Sequence, residues 1–132
     1  MVKGSVKVNQ QLIKRFEREE LIMNNLLVKE GILKIPEIAL GCMRMTSLEK
    51  NELERLICTS MEEGINFFDH ADTYGGGEAE SFFAKAINMN SSIREKMILQ
   101  TKCGIRPGIS FDFSKQHILE SVDGSLKRLK TD

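Results

Sequence analysis

Three short apolar runs, each followed by a helical recurrence of apolar residues, restrict this chain more than any other feature. The first run, Ile38-Ala39-Leu40-Gly41, reads as a buried strand of the kind found in parallel sheets. Behind it, Thr46 and Glu49 have the spacing of a capping box, and Leu53, Leu56, Ile57 and Met61 recur on one helical face. Gly64 follows, where a left-handed residue would end that helix. Ile65-Asn66-Phe67-Phe68-Asp69 predicts a second strand, and Ala79, Phe82, Phe83, Ala86 and Ile87 a second amphipathic helix. Met97-Ile98-Leu99-Gln100-Thr101-Lys102 is the third strand, and Ile118, Leu119, Val122, Leu126 and Leu129 mark a third helix from Ser114 onward. Strict alternation of this kind means parallel strands with helical crossovers, either in a doubly wound sheet or in part of a (β/α)8 barrel. Length leaves that choice open, because a complete barrel needs ~250 residues and this chain has 132.

Residues 1–25 stand apart as an N-terminal extension. Basic residues there surround a loose apolar spacing of Leu12, Phe16 and Met23, which suits a frayed helix or a docking arm. A third reading makes Met23 the native start, since Arg18-Glu19-Glu20 can be encoded by a purine-rich run just upstream, where a bacterial ribosome-binding sequence would sit. The remaining residues, 26–132, form the folded part. Lys+Arg and Asp+Glu number 19 each, so a net charge of zero argues against a dedicated nucleic-acid or anionic-membrane binder. No run of ~18 uncharged apolar residues occurs, and the N-terminus lacks the apolar core of a signal peptide. The expected setting is therefore cytoplasmic, without a membrane span. Cys42, Cys58 and Cys103 are odd in number and widely spaced, which fits reduced thiols better than a disulfide frame or zinc site.

In parallel α/β folds reactive groups gather at the carboxyl ends of the strands, which here are Cys42 to Thr46, Asp69 to Glu78 and Lys102 to Pro107. The middle segment is dense in titratable side chains directly behind an apolar strand. A carboxylate there loses hydration unless a cation pairs with it, and Lys102 ends strand three as Asp69 ends strand two. With Tyr74 carried back by the glycine loop, the ammonium would favour the phenolate form and make Tyr74 a usable general acid. The competing reading is a plain ion pair at a loop beside a solvent-facing tyrosine. Gly75-Gly76-Gly77 lacks the residues of a phosphate cradle and reads as a flexible loop. His70, between two aspartates, reads as a hydrogen-bonded loop histidine rather than a metal ligand, so no metal is expected. His117 falls in the first turn of the third helix, away from the strand ends, as a surface or capping residue.

The residues Gly64 to Gly75, reading Gly-Ile-Asn-Phe-Phe-Asp-His-Ala-Asp-Thr-Tyr-Gly, followed by Leu99-Gln-Thr-Lys-Cys-Gly104, resemble the aldo-keto reductase family. Leu40-Gly41-Cys42-Met43-Arg44-Met45 is similar to that family's first-strand loop, and Leu27 to Lys34 to the hairpin across the barrel floor. The resemblance, from about Leu26 to Asp132, implies a (β/α)8 TIM barrel present as about its first three βα units. It implies NADP-dependent reduction of a small-molecule aldehyde or ketone, with Tyr74 as general acid and Lys102 and Asp69 tuning it. It places Gly41, Cys42, Met43, Arg44 and Asp69 near the cofactor. It also marks departures: the family's further catalytic histidine would end a fourth strand, which this chain does not reach, and His117 does not replace it. Three units leave open strand edges, so the expectation is a truncated N-terminal fragment with little activity alone. The alternative is a noncatalytic half-barrel that self-associates or pairs with a separately encoded C-terminal half.

Overall fold

The computed structural model describes residues 25–28 and 33–132. Apart from Asn25, the expected N-terminal extension and the suggested start at Met23 lie outside the described residues. Strands β1 (Asn25–Val28) and β2 (Leu33–Pro36) form an antiparallel hairpin in which Asn25 pairs with Pro36 and Val28 with Leu33. Three parallel strands follow, β3 (Leu40–Gly41), β4 (Phe67–Asp69) and β5 (Ile98–Gln100), hydrogen-bonded in the order β3-β4-β5. Helix α1 (Lys50–Glu62) connects the first two and α2 (Ala79–Ala86) with the one-turn α3 (Ser91–Arg94) the second two. After β5 comes a small hairpin of β6 (Ile105–Arg106) and β7 (Ser110–Phe111), and then α4 (Lys115–Leu129). These are three consecutive βα units of a (β/α)8 barrel, preceded by a hairpin.

The register follows from the alternation of strand side chains. Leu40 pairs with Phe68 and Gly41 with Asp69, while Phe67, Phe68 and Asp69 pair with Ile98, Leu99 and Gln100. Phe68 therefore faces the helices and is fully buried, with Leu53, Ile57 and Met61 of α1, Phe83 and Ala84 of α2, and Leu129 of α4 in the same cluster. The Phe68 and Phe83 rings lie 5.1 Å apart in a tilted arrangement favoured by ring quadrupoles. Burying a side chain of that size stabilises the fold by roughly 1.5–3 kcal/mol.

Several expected elements are corrected. The first strand pairs only at Leu40 and Gly41; Ile38 is 54% exposed because the ladder with β4 begins two residues later. The capping interaction lies one turn later than Thr46 and Glu49, since Met45–Ser47 forms a 3-10 turn. There Glu49 is the N-cap, and its backbone N–H donates to Glu52 Oε2 at 3.0 Å. Gly64 ends α1 as expected, at φ 82° with its N–H donating to Met61. The apolar face of α4 is only half covered: Leu129 is buried, but Ile118, Leu119 and Val122 are exposed, because the helix packs against α2 near its C-terminal end.

Candidate active site

The three βα turns converge through peptide hydrogen bonds that continue the ladder past the strand ends. Cys42 N donates to Asp69 O at 2.9 Å, His70 N to Gln100 O at 2.8 Å and Asp72 N to Lys102 O at 2.9 Å. These bonds set the heights of the loops relative to one another, so the side chains they carry meet.

Asp69, Lys102 and Tyr74 meet there. Lys102 Nζ donates to Asp69 Oδ1 and to His70 O, both at 2.7 Å, and lies 5.0 Å from the centre of the Tyr74 ring. Partial burial pulls the lysine's pKa down, but hydrogen bonds to Asp69 and Tyr74 outweigh it and hold the pKa above its ordinary value. The ammonium is thus charged and fixed beside the phenol. Tyr74 starts a 3-10 turn, its N–H donating to Ala71 O at 3.1 Å. The glycine loop is set rather than loose: Gly75 has φ 60°, and a Cβ there would stand 2.5 Å from Thr46 Cγ2. The loop after β4 therefore rests on the loop after β3.

Gly41, Met43 and Arg44 are exposed at the end of β3, with Gly41 directly opposite Asp69. Cys42 differs. Its side chain is fully buried, Sγ donates to Leu40 O at 3.4 Å, and burial chiefly pushes the thiol up to about 12. Its N–H is taken by Asp69 O and its carbonyl accepts from Met45 N, so Cys42 anchors the loop.

Two histidines depart from expectation. His70 is fully buried, edge-on to Phe83 with ring centres 4.7 Å apart, and neither ring nitrogen makes a hydrogen bond among the described residues. It is a core residue, because the strand alternation that turns Asp69 toward the site turns His70 inward among the helices. Burial chiefly pushes its pKa down to about 4. Ser114 caps α4, its Oγ accepting from the His117 backbone N–H at 3.3 Å, yet His117 lines a cleft with Asp72, Thr73, Gly76 and Gly77. It lies beside the strand-end loop rather than away from it, because the β6-β7 hairpin brings the start of α4 back toward that side. Among the described residues no group of three or more His, Cys, Asp or Glu is placed to hold a metal.

Two contacts carry no sequence expectation. Gln100 Nε2 donates to Asp69 Oδ1 at 2.8 Å, the same oxygen that receives Lys102. Its signal was its place two residues before Lys102 on the same face. Glu80, 1% exposed, accepts from Thr101 Oγ1 and from Arg128 Nε, each at 2.7 Å.

An aspartate, a lysine and a tyrosine are thus gathered beyond the carboxyl ends of two adjacent parallel barrel strands. The chain belongs to the aldo/keto reductase family, whose sequence pattern matches residues 37–132. It is 43% identical over 90 residues to the uncharacterized oxidoreductase YcsN of Bacillus subtilis, covering 61% of this chain and 30% of that one. It is 33% identical over 108 residues to a 6-dehydroglucose reductase of Novosphingobium aromaticivorans, covering 76% of this chain and 36% of that one. Its fold matches the aldo-keto reductase AKR11C1 of Bacillus halodurans in its holo form, with TM-score 0.70, 34% identity, and 83% of this chain over 37% of the other. The chain spans about a third of the length of the curated relatives it matches.

Proposed function

We propose that this chain carries the proton-donating part of an NADP-dependent aldehyde or ketone reductase site. The supporting observation is the Lys102 ammonium, held between Asp69 Oδ1 at 2.7 Å and the Tyr74 ring at 5.0 Å. A reduced carbonyl develops negative charge on oxygen and needs a proton there. Tyr74 Oη is the donor in this reading, passing its proton to that oxygen, and Lys102 stabilises the phenolate left behind. Asp69 keeps the ammonium in place, and Gln100 keeps Asp69 in place. Lys102 can stay protonated throughout, because its raised pKa suits it to act as a fixed charge.

The exposed Gly41, Met43 and Arg44 beside Asp69 suit the nicotinamide end of NADPH, where a Cβ built on Gly41 meets nothing within 4 Å. Bound there, the reduced cofactor supplies the hydride. Met43, Arg44, Gly75 and Gly76 of the strand-end loops are exposed, so we read the 132 residues alone as inactive and the rest of a barrel as needed to enclose cofactor and carbonyl. Joining these residues to the remaining strands of a relative tests this: NADPH-dependent reduction of small aldehydes or ketones is expected, and its collapse in Lys102→Met. A joined barrel that folds and reduces no carbonyl, or a Lys102→Met variant as active as the parent, contradicts the reading.

One observation favours a second reading, a noncatalytic half-barrel that pairs with another polypeptide. Ile109, Phe111 and Phe113 are 79%, 71% and 70% exposed, and Leu119 and Val122 of α4 are 55% and 44% exposed. Sedimentation of the chain alone distinguishes the two, since a stable defined oligomer without rescue of reductase activity supports the pairing reading.

A further inference from the structure

Glu80 is a carboxylate that the proton-donating site does not use, yet it is almost completely buried. Burying a charge costs several kcal/mol unless each oxygen is paired, and an apolar residue of similar volume often serves packing equally well. Here both oxygens are occupied: Oε1 by the Thr101 hydroxyl and Oε2 by Arg128 Nε, each at 2.7 Å. Arg128 is held in turn by donating from Nη2 to Ser125 Oγ at 3.1 Å. The start of α2, the end of β5 and the last turns of α4 meet at one carboxylate.

Of the two residues it ties, Thr101 lies next to the site. Thr101 immediately precedes Lys102, and strand alternation sends their side chains to opposite faces. β5 ends at Gln100, so the segment bearing Lys102 has left the regular ladder and is held by Asp72 N on Lys102 O and by the Thr101 side chain. Glu80 also stands six residues after Tyr74, at the start of the helix into which the Tyr74 turn runs. One carboxylate thus joins the element that carries Tyr74 to the residue before Lys102. We propose that Glu80 is a positioning residue, setting the distance between the Lys102 ammonium and the Tyr74 ring by clamping Thr101 from behind. This inference rests on the reading that Lys102 acts on Tyr74.

The chain has one tyrosine and no tryptophan, so near-ultraviolet phenolate absorbance of the full 132-residue protein reports on Tyr74 alone. At one alkaline pH where far-ultraviolet circular dichroism shows every variant folded, Lys102→Met sets the scale by lowering the phenolate signal. Thr101→Val, which keeps the shape and removes the hydroxyl, is expected to lose at least half as much signal as Lys102→Met, and Thr101→Ser to retain the parent's. If Thr101→Val does not fold, Thr101→Ala is read in its place. A folded Thr101→Val or Thr101→Ala with the parent's phenolate signal overturns the positioning role, leaving Glu80 a structural clamp. A Lys102→Met variant with the parent's signal overturns instead the underlying reading that Lys102 acts on Tyr74.

Discussion

Asp69, the last residue of β4, and Lys102, two residues past the end of β5, meet at 2.7 Å, yet their side chains keep 31% and 45% of their exposure. Ion pairs that wet are worth about 0–1 kcal/mol in stability. Asp69→Asn is therefore expected to change the urea-unfolding free energy by less than about 1 kcal/mol while disturbing the lysine it holds. A loss of several kcal/mol would mean that the pair serves the fold rather than the site.

His70 gives a pH dependence of defined sign. Unfolded, the imidazole takes up a proton near pH 6.5, whereas in the fold its pKa lies at about 4. Between those values the unfolded chain binds more protons, so stability is complete above pH 6.5, falls as the pH drops toward 4, and levels off below. At ~1.4 kcal/mol per pKa unit the loss is about 3 kcal/mol. Because carboxylates titrate in the same window, the check is a comparison with His70→Leu. The parent should lose about 3 kcal/mol more than the variant between pH 7 and pH 4, and parallel curves would refute the assignment.

Phe83 is fully buried and touches both Phe68 and His70. Phe83→Ala leaves a cavity between α2 and β4 and should cost about 3–5 kcal/mol, read as a fall in the unfolding midpoint. A cost below about 1 kcal/mol, less than one buried methylene group is typically worth plus its cavity, would show that Phe83 does not anchor this core.

Burial chiefly pushes the Cys42 thiol up to about 12 and, with Glu54 and Glu62 nearby, the Cys58 thiol up to about 11. Thiolate is the reactive form, so iodoacetamide near pH 8 should leave both unmodified in the folded protein and modify them once it is unfolded. Peptide mapping after a short pulse decides, and rapid native labelling of Cys42 would contradict its buried position.

The parts of this site that sit at strand ends were legible from the chain alone. Asp69 and Lys102 close successive strand-like runs, so alternation puts them on one face, and Tyr74 follows Asp69 by five residues, where the turn into the glycine loop carries it back over them. Glu80 was not legible, because helical periodicity reads it as one more polar residue between Ala79 and Phe83. Its burial comes from Thr101 and Arg128, partners 21 and 48 residues away. His70 escaped for a related reason: a histidine among aspartates reads as loop chemistry, while its burial follows from the packing of Phe83. The β6-β7 hairpin escaped because its strands are two residues long and exposed, leaving only Pro107-Gly108 as a turn signal. Ile118, Leu119 and Val122 show the opposite failure, since the period marks an apolar stripe without saying what covers it.

The role of Tyr74 is decided by the rate of NADPH-dependent carbonyl reduction by a barrel containing these residues, with Tyr74 compared against Tyr74→Phe. General acids contribute about 10²–10⁴-fold, so kcat should fall by at least about 10²-fold while cofactor binding and the unfolding midpoint stay at the parent's values. A Tyr74→Phe barrel whose kcat stays within a few-fold of the parent's would remove Tyr74 as the proton donor and leave the cluster an ion pair beside a tyrosine.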